Sequence, residues 1–339
     1  MAIRVLQVGL GPIGASIARQ VVARAGFELV GGVDLDPGRA GRDLGVEVSA
    51  DLAAALAATR PDIAVVSTSS ALERVAATIE TCLAAGVAVV STTEELSFPW
   101  RERPELARRI DEAARAADRA VLGTGVNPGF AMDALPLALS AVCERVDGVI
   151  VRRIQDASKR RLPFQQKIGA GLSVEEFHAK VAAGGVRHVG LAESIGMLAS
   201  AFGWNLDSVT DEIWPKIAEE PVASPDLSVK AGDCSGVVQL GLGKEGEVVR
   251  IRLEFEAYLG ASESYDEIEI VGSPALKSRV EGGIPGDLAT ASIVVNAIPR
   301  VLAAPPGLIT MRDLPPAHWW PGNPTAPPPG AASASLRSI

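Results

Sequence analysis

The first 126 residues alternate short β-branched segments with longer segments rich in Ala, Leu and Arg, and this alternation strongly constrains the fold. Five repeats of such a rhythm are typical of βαβ units on a parallel sheet. We predict strands at Ile3–Val8, Glu28–Val33, Ile63–Ser67, Val87–Ser91 and Ala120–Gly123. Helices are predicted at Ile13–Arg24, Asp51–Ala58, Ala71–Ala85 and Pro104–Ala117. Near-continuous apolar strands of this kind are buried on both faces, as in doubly wound α/β sheets.

The rhythm changes after Pro128. Helices are predicted at Met132–Val142, Val174–Ala183 and Leu191–Phe202, and strands at Val149–Ile154, Val237–Leu242, Glu247–Tyr258 and Ser264–Val271. Alternating strands separated by Gly-containing turns favour a second, α+β domain with a mainly antiparallel sheet. We expect a first domain over residues 1–130, a second over 131–290, a C-terminal segment returning to the first domain over 291–320, and a flexible tail over 321–339.

Composition excludes several classes of partner. A formal charge of −9 without a basic stripe argues against nucleic acid. No apolar run approaches the roughly 20 residues of a membrane span, and we expect no secretory leader before the first strand. The three cysteines and three histidines have neither disulfide nor metal-ligand spacing, so we expect no metal and a cytoplasmic location.

A glycine-rich loop follows the first predicted strand and opens the first predicted helix. Its residues are Gly9, Leu10, Gly11, Pro12, Ile13 and Gly14. Each glycine has a role in a dinucleotide fingerprint: the first permits the tight turn, the second admits the pyrophosphate, and the third lets the helix pack on the strand. The pyrophosphate then meets the helix N terminus. We therefore predict a Rossmann domain that binds NAD or NADP.

Asp34 stands at the end of the second strand, where a carboxylate can accept hydrogen bonds from the adenosine ribose. A carboxylate there favours NAD. Arg39 and Arg42 follow closely and can reach a 2′-phosphate, or they can simply face solvent, so the choice between NAD and NADP stays open.

Further candidates lie where later strands end, because ligands of open α/β sheets bind beyond the carboxyl ends of the strands. Small hydroxyl residues there can approach the cofactor or cap the next helix. The predicted cofactor contacts of this group are Ser67, Thr68 and Thr92, with Asn127 and Pro128 at the domain junction.

Glu94 and Glu95 follow the fifth strand directly. Many hydride-transfer enzymes polarise a carbonyl with Lys, His or Tyr, none of which occurs in this loop. A carboxylate instead stabilises an iminium cation and takes a proton from an ammonium group. The alternative is that the pair caps a helix beginning near Pro99 or Pro104.

From about Ile3 to Leu314 the chain resembles 2,4-diaminopentanoate dehydrogenase and the related native amine dehydrogenases, a branch near dihydrodipicolinate reductase. The resemblance rests on Gly9–Gly14, Val33–Pro37, Gly41–Gly45, Ser91–Pro99, Gly123–Phe130, Asp156–Arg161, Lys167–Gly171 and Gly282–Asp287. It implies NAD(P)-dependent reductive amination of a ketone or aldehyde with ammonia, and the reverse deamination, with Glu94 or Glu95 as the catalytic carboxylate.

Two related families fit less well. Dihydrodipicolinate reductases carry a His-His pair with a nearby Lys and a Ser-Gly-Thr segment, which are lacking here. Sugar dehydrogenases similar to glucose–fructose oxidoreductase place Glu-Lys-Pro where this chain has Thr93, Glu94 and Glu95. An imine reductase, another Rossmann dehydrogenase and a non-catalytic NAD(P) sensor remain the alternatives.

Residues after Asn127 are expected to complete a pocket for the small amine or carbonyl substrate, although each can equally serve core packing. The candidates are Phe130, Phe164, Gln165, Gln166, Ile168 and Met197. The cluster Lys159–Arg161 can bind a substrate carboxylate or lie at an interface, and we expect a homodimer.

Overall fold

A computed structural model describes residues 2–36 and 44–321. The chain forms two compact units: one runs to Val126 and resumes at Gly286, and the other covers Asn127–Pro285. The boundaries expected near residues 130 and 290 thus differ from these by a few residues. Arg39, Arg42 and nearly all of the predicted tail, 321–339, lie outside the described residues.

The first unit is built on a seven-stranded sheet. Its strands are β1 (Ile3–Val8), β2 (Phe27–Val33), β3 (Val48–Ser49), β4 (Ile63–Val66), β5 (Ala88–Ser91), β6 (Ala120–Gly123) and β15 (Gly307–Ile309). The spatial order is β15-β6-β5-β4-β1-β2-β3, with every pair parallel. The order reverses between β1 and β4, which places the topological switch point directly at the glycine loop.

Helices flank this sheet: α1 (Pro12–Ala23), α2 (Leu52–Thr59), α3 (Leu72–Ala84), α4 (Pro104–Ala116) and α9 (Gly286–Leu302). The carboxylate of Asp51 caps α2 by accepting from the amide of Ala54 at 3.1 Å. Helix α9 packs on α1, where Gln20 Nε2 donates to Ser292 Oγ at 3.1 Å. The C-terminal segment therefore belongs to the first unit, and it adds β15 beside β6.

The second unit contains a six-stranded sheet in the order β14-β13-β7-β12-β11-β8. Its strands are β7 (Arg145–Asp156), β8 (Ser208–Ile217), β11 (Cys234–Glu245), β12 (Val248–Tyr258), β13 (Tyr265–Ser273) and β14 (Leu276–Glu281), with β9 (Val222–Ala223) and β10 (Ser228–Val229) as a separate short pair. Only β7 and β12 pair in parallel. The predicted Rossmann domain and mainly antiparallel second domain are confirmed.

The helices of the second unit are α5 (Ala134–Ser140), α6 (Leu162–Lys167), α7 (Val174–Ala182) and α8 (Leu191–Phe202). Helix α8 lies close to one face of the sheet, as two glycines of β11 show. A Cβ on Gly241 would lie 3.0 Å from the side chain of Ile195, and a Cβ on Gly243 would lie 2.9 Å from it. None of the helices in the described ranges combines the length and the apolar run that a membrane crossing requires.

Candidate functional site

The three glycines of the loop between β1 and α1 face different surroundings. Gly9 has φ +85°, and a Cβ on Gly14 would lie 1.9 Å from the carbonyl oxygen of Gly9. The protein's own packing thus requires glycine at both positions. A Cβ on Gly11 would meet no atom within 4 Å among the described residues. The backbone at Gly11 therefore lies open to a ligand.

Gln7, which the sequence analysis missed, holds this loop from behind. Its fully buried amide Nε2 donates to Ser67 Oγ at 2.7 Å and to the carbonyl of Gly9 at 3.0 Å. Ser67 Oγ also donates to that carbonyl, at 3.1 Å. The signal that could have indicated it is a polar residue two positions before Gly9, in the apolar second half of β1. Ser67 therefore shapes the glycine loop, whatever else it contacts.

The start of α1 suits an anion. Gly11 is the N-cap and contributes no side-chain cap, and Pro12 occupies the first turn. Gly11 and Pro12 are exposed, while Ile13 is half-buried. The positive end of the helix dipole and the first-turn N–H groups point outward here, so the residues present fit a dinucleotide pyrophosphate.

Asp34 leaves β2 beside the same loop. Its Oδ2 accepts from the amide of Leu10 at 2.7 Å and its Oδ1 from the amide of Asp36 at 3.0 Å. The carboxylate is thus fixed against the glycine loop, and its remaining lone pairs can accept from ribose hydroxyls. Among the other strand-end candidates, Thr68 is exposed after β4 and Thr92 is half-buried after β5.

The two glutamates after β5 lie in a short 3₁₀ helix, Glu94–Leu96, and both are half-buried. Glu95 Oε2 accepts from the amide of Leu72 at 2.8 Å, and its Oε1 lies 3.6 Å from Arg103 Nη2. Glu95 thus caps α3 rather than a helix starting near Pro99 or Pro104, which corrects the alternative considered above. Glu95 therefore has a structural role beside any part that it takes in the chemistry.

Asn127 opens the second unit with a buried side chain. Its Nδ2 lies 2.8 Å from His188 Nε2, and its Oδ1 has no hydrogen-bond partner in the described part of the chain. The following residues are held tightly: Asp133 Oδ2 accepts from the amide of Gly129 at 2.8 Å and from Ser194 Oγ at 2.7 Å. A Cβ on Gly190 would come within 2.3 Å of the Pro128 ring.

Two buried groups near Asn127 have shifted pKa values. Burial raises the pKa of the Asp133 carboxyl, although its hydrogen bonds act in the opposite direction. Burial also lowers the pKa of His188 to about 3, and the positive charges of Arg153, Lys167 and Arg187 act in the same direction. The imidazole of His188 is therefore neutral over the pH range of ordinary assays.

The lowered pKa predicts an acid-sensitive fold. The unfolded chain binds a proton at His188 near pH 6.5, while the folded chain does not until about pH 3, so stability is lost as the pH falls through this window. One such proton changes the unfolding free energy by up to about 1.4 kcal/mol per pH unit. We expect the thermal midpoint of the wild type to fall more steeply than that of His188→Gln between pH 6.5 and 4. Parallel curves would contradict this assignment.

The expected pocket residues are placed unevenly. Met197 and Gln165 have no exposed surface and Ile168 has 4%. Gln165 is engaged internally, with Nε2 donating to the carbonyl of Arg160 and Oε1 accepting from Ser224 Oγ. These three side chains serve packing and loop structure. Phe130 and Phe164 are half-buried and Gln166 is exposed.

The basic cluster at Lys159–Arg161 lies around the start of α6. Lys159 is 88% exposed, and its Nζ lies 3.9 Å from Asp156 Oδ2. The guanidinium of Arg160 stacks 4.2 Å from the ring centroid of Phe164. In the described ranges, no cluster of three or more His, Cys, Asp or Glu side chains can hold a metal.

Comparison with known proteins places the chain among dehydrogenases. The 2,4-diaminopentanoate dehydrogenase C-terminal domain family matches residues 130–324. The chain is 31% identical to 2,4-diaminopentanoate dehydrogenase of Acetoanaerobium sticklandii, across 92% of this chain and 93% of that protein. It is 24% identical to an amine dehydrogenase of Streptomyces virginiae, across 91% and 94% of the two chains.

Solved structures agree with this assignment. Amine dehydrogenase from Mycobacterium smegmatis has a TM-score of 0.80 at 26% identity, covering 95% of this chain and 99% of that one. A myo-inositol dehydrogenase from Lactobacillus casei, solved with NAD(H), shares the fold with a TM-score of 0.56 at 16% identity, over 92% and 90% of the two chains. The chain therefore belongs to the 2,4-diaminopentanoate dehydrogenase family and is an NAD(P)-dependent oxidoreductase.

Proposed function

We propose that this protein is an amine dehydrogenase, which converts a ketone or aldehyde, ammonia, NAD(P)H and a proton into a primary amine, NAD(P)⁺ and water, and also catalyses the reverse. The observation that carries the proposal is the carboxylate of Glu94 at the end of β5, in a loop without Lys, His or Tyr. The names of the relatives from A. sticklandii, S. virginiae and M. smegmatis support the same substrate class.

Glu94 acts on nitrogen in this proposal. Its ionised carboxylate accepts a hydrogen bond from the nitrogen of the condensing ammonia and stabilises the cationic iminium. In the reverse direction it takes a proton from the substrate ammonium group. Glu95 supports Glu94 by fixing the loop against α3, as its hydrogen bond to the amide of Leu72 indicates.

The cofactor contacts that we propose lie along the carboxyl ends of β1, β2, β4 and β5. When bound, the nicotinamide supplies or accepts the hydride. The N terminus of α1 holds the pyrophosphate at Gly11, Pro12 and Ile13, while Gly9 and Gly14 shape the loop. Asp34 accepts from the ribose, and the remaining contacts are Ser67, Thr68, Thr92, Asn127 and Pro128. Phe130, Phe164 and Gln166 remain the proposed substrate contacts.

A panel of carbonyl compounds tests the proposal. Oxidation of NAD(P)H that requires both ammonia and a carbonyl compound supports an amine dehydrogenase. Turnover of preformed cyclic imines without ammonia would instead indicate an imine reductase similar to dihydrodipicolinate reductase. Cofactor binding without turnover across the whole panel would indicate a sensor. The panel also identifies the preferred substrate.

Asp34 is expected to disfavour NADP. Asp34→Asn removes the charge but keeps an oxygen that can accept from the amide of Leu10. Two like charges about 4 Å apart repel by about 1 kcal/mol even in water, so the ratio of kcat/KM for NADP over NAD should rise at least roughly fivefold. An unchanged ratio would show that the Asp34 carboxylate does not face the 2′ position.

We also propose a homodimer in the cytoplasm. The face of the second sheet opposite α8 carries half-buried Val238, Leu240 and Leu242, and Trp214, paired with Val238, is 40% exposed. Such a surface suits a second copy of the chain. Light scattering should give the mass of two chains, and Leu240→Glu should reduce it to one. Monomeric wild-type protein would exclude this interface.

The proposed location in the cytoplasm is supported by the cysteines. The buried, free thiols of Cys82 and Cys234 suit a reducing compartment.

A further inference from the structure

The side chain of Asn127 is buried but only half satisfied. Only 7% of the residue is exposed, and its Nδ2 lies 2.8 Å from His188 Nε2. Its Oδ1 is buried and has no hydrogen-bond partner in the described ranges. Buried polar atoms in folded proteins are rarely left without a partner, so this unpaired acceptor is a candidate contact for a bound group that donates a hydrogen.

His188 is held in place both at its backbone and at its imidazole ring. The side-chain amide of Gln239 brackets its backbone: the amide of His188 donates to Gln239 Oε1 at 2.8 Å, and Gln239 Nε2 donates to the carbonyl of His188 at 2.9 Å. The ring stacks on Phe255, with centroids 4.5 Å apart and planes at 23°. The position of Nε2 is therefore fixed before any ligand binds.

The side chain of Gln239 is itself held by further hydrogen bonds. Gln239 is fully buried in β11, and its Nε2 also donates to Asp211 Oδ1 at 2.7 Å. Asp211 Oδ2 in turn accepts from Arg187 Nη2 at 2.9 Å. These hydrogen bonds fix the side chain of Gln239, which in turn fixes the backbone of His188. A buried polar network whose members are hydrogen-bonded to one another holds them in one orientation.

We infer that His188 is a positioning residue: its Nε2 accepts from Asn127 Nδ2, and this bond turns Asn127 Oδ1 toward an N–H donor of the ligand. The neutral imidazole carries one proton, so a ring with hydrogen on Nδ1 offers only an acceptor at Nε2. With Nδ2 held by His188, Oδ1 is the atom on the other arm of the Asn127 amide, and as a carbonyl oxygen it can only accept a hydrogen bond. The arrangement is selective for a donor.

The ligand group that fits is the carboxamide of the nicotinamide ring, whose NH2 supplies the missing donor; this step rests on the proposed cofactor contact of Asn127. The course of the chain supports it. The amide of Thr124 donates to the carbonyl of Ser91 at 2.8 Å, so the chain leaves the first unit beside the end of β5, where the Glu94 loop begins. Asn127 follows three residues later.

The inference predicts selectivity between two cofactors that differ only at the carboxamide. In the 3-acetylpyridine analogue a methyl group replaces the NH2, so no donor reaches Asn127 Oδ1. We expect the wild type to bind its preferred oxidised cofactor about fivefold more tightly than this analogue, as for one buried hydrogen bond. Quenching of tryptophan fluorescence gives both dissociation constants without any amine substrate.

Matched variants assign this selectivity to the pair. His188→Phe keeps a ring on Phe255 but removes the acceptor, and should reduce the fivefold ratio to about one. His188→Gln keeps an acceptor of similar reach and should preserve most of it. Asn127→Leu should abolish the ratio, and His188→Phe should then have no further effect on it. Thermal unfolding shows whether each variant is folded.

Several results would overturn the inference. A folded His188→Phe variant that keeps the fivefold ratio would show that His188 does not orient Asn127. Equal losses in His188→Phe and His188→Gln would assign the effect to the ring rather than the acceptor. If His188→Phe does not fold, Asn127→Leu decides alone, since an unchanged ratio there refutes the contact. These binding data stand even if no carbonyl compound is aminated, so they separate this inference from the proposed function.

Discussion

Glu94→Gln is expected to slow amine oxidation by roughly 10²-fold or more, the contribution usually attributable to one acid–base or electrostatic group. Glutamine keeps the shape of the side chain but removes the charge that stabilises the iminium. The loss should therefore appear in kcat, while the dissociation constant of the cofactor changes little. Steady-state kinetics with the best amine of the panel, alongside cofactor titration, measures both quantities.

Glu95→Gln is the matched control. Its amide oxygen can still accept from the amide of Leu72, so the cap on α3 persists, although the charge facing Arg103 is lost. We expect a loss of activity of only a few-fold. If Glu95→Gln reduces activity more than Glu94→Gln does, Glu95 rather than Glu94 is the catalytic carboxylate. If both variants keep near-full activity, another group must handle the nitrogen.

Gly11→Ala is expected to weaken NAD(P)H binding by roughly tenfold or more, about 1.4 kcal/mol, because the methyl group occupies the space through which the pyrophosphate approaches. The fold should survive. Gly11 has φ −61°, which alanine adopts readily, and the new Cβ meets no atom within 4 Å among the described residues. Fluorescence titration of NAD(P)H, with thermal unfolding alongside, checks both parts.

Gly185→Ala serves as its control in the second unit. A Cβ there makes an ordinary 3.4 Å contact with the carbonyl of Lys180, so neither the fold nor cofactor affinity should change. Gly14 is a poor test of binding, because its Cβ would lie 1.9 Å from the Gly9 carbonyl and displace the loop itself. Unaltered affinity in Gly11→Ala would remove the basis for placing the pyrophosphate at α1.

Sequence periodicity predicted the first unit well because its strands are short, apolar and buried on both faces, which leaves a strong pattern. It missed β8 and β14, the two edge strands of the second sheet. Each has only one neighbour, and β8 contains Pro215, a residue that edge strands tolerate but that argues against a strand in sequence. Helix α5 is shorter than predicted at both ends, since it begins after its cap, Asp133, and ends at Ser140.

The candidate site was predictable where its residues are contiguous and hidden where they are not. The glycine loop, Asp34 and the Glu94–Glu95 loop follow strands directly, so motif spacing indicates them. The contact between Asn127 and His188 spans 61 residues, and Glu95 caps a helix that starts 23 residues earlier. Neither partner can be identified from periodicity, since only the folded chain brings them together.

The most direct test of the amine dehydrogenase assignment follows hydrogen and nitrogen into the product. The protein is incubated with reduced cofactor carrying deuterium at the transferred position, ¹⁵N-ammonia and the best carbonyl compound, and the product is analysed by mass spectrometry. The account predicts an amine that carries one deuterium on the carbon bonded to ¹⁵N. Deuterium found instead in an alcohol without nitrogen would show direct carbonyl reduction and contradict the proposed function.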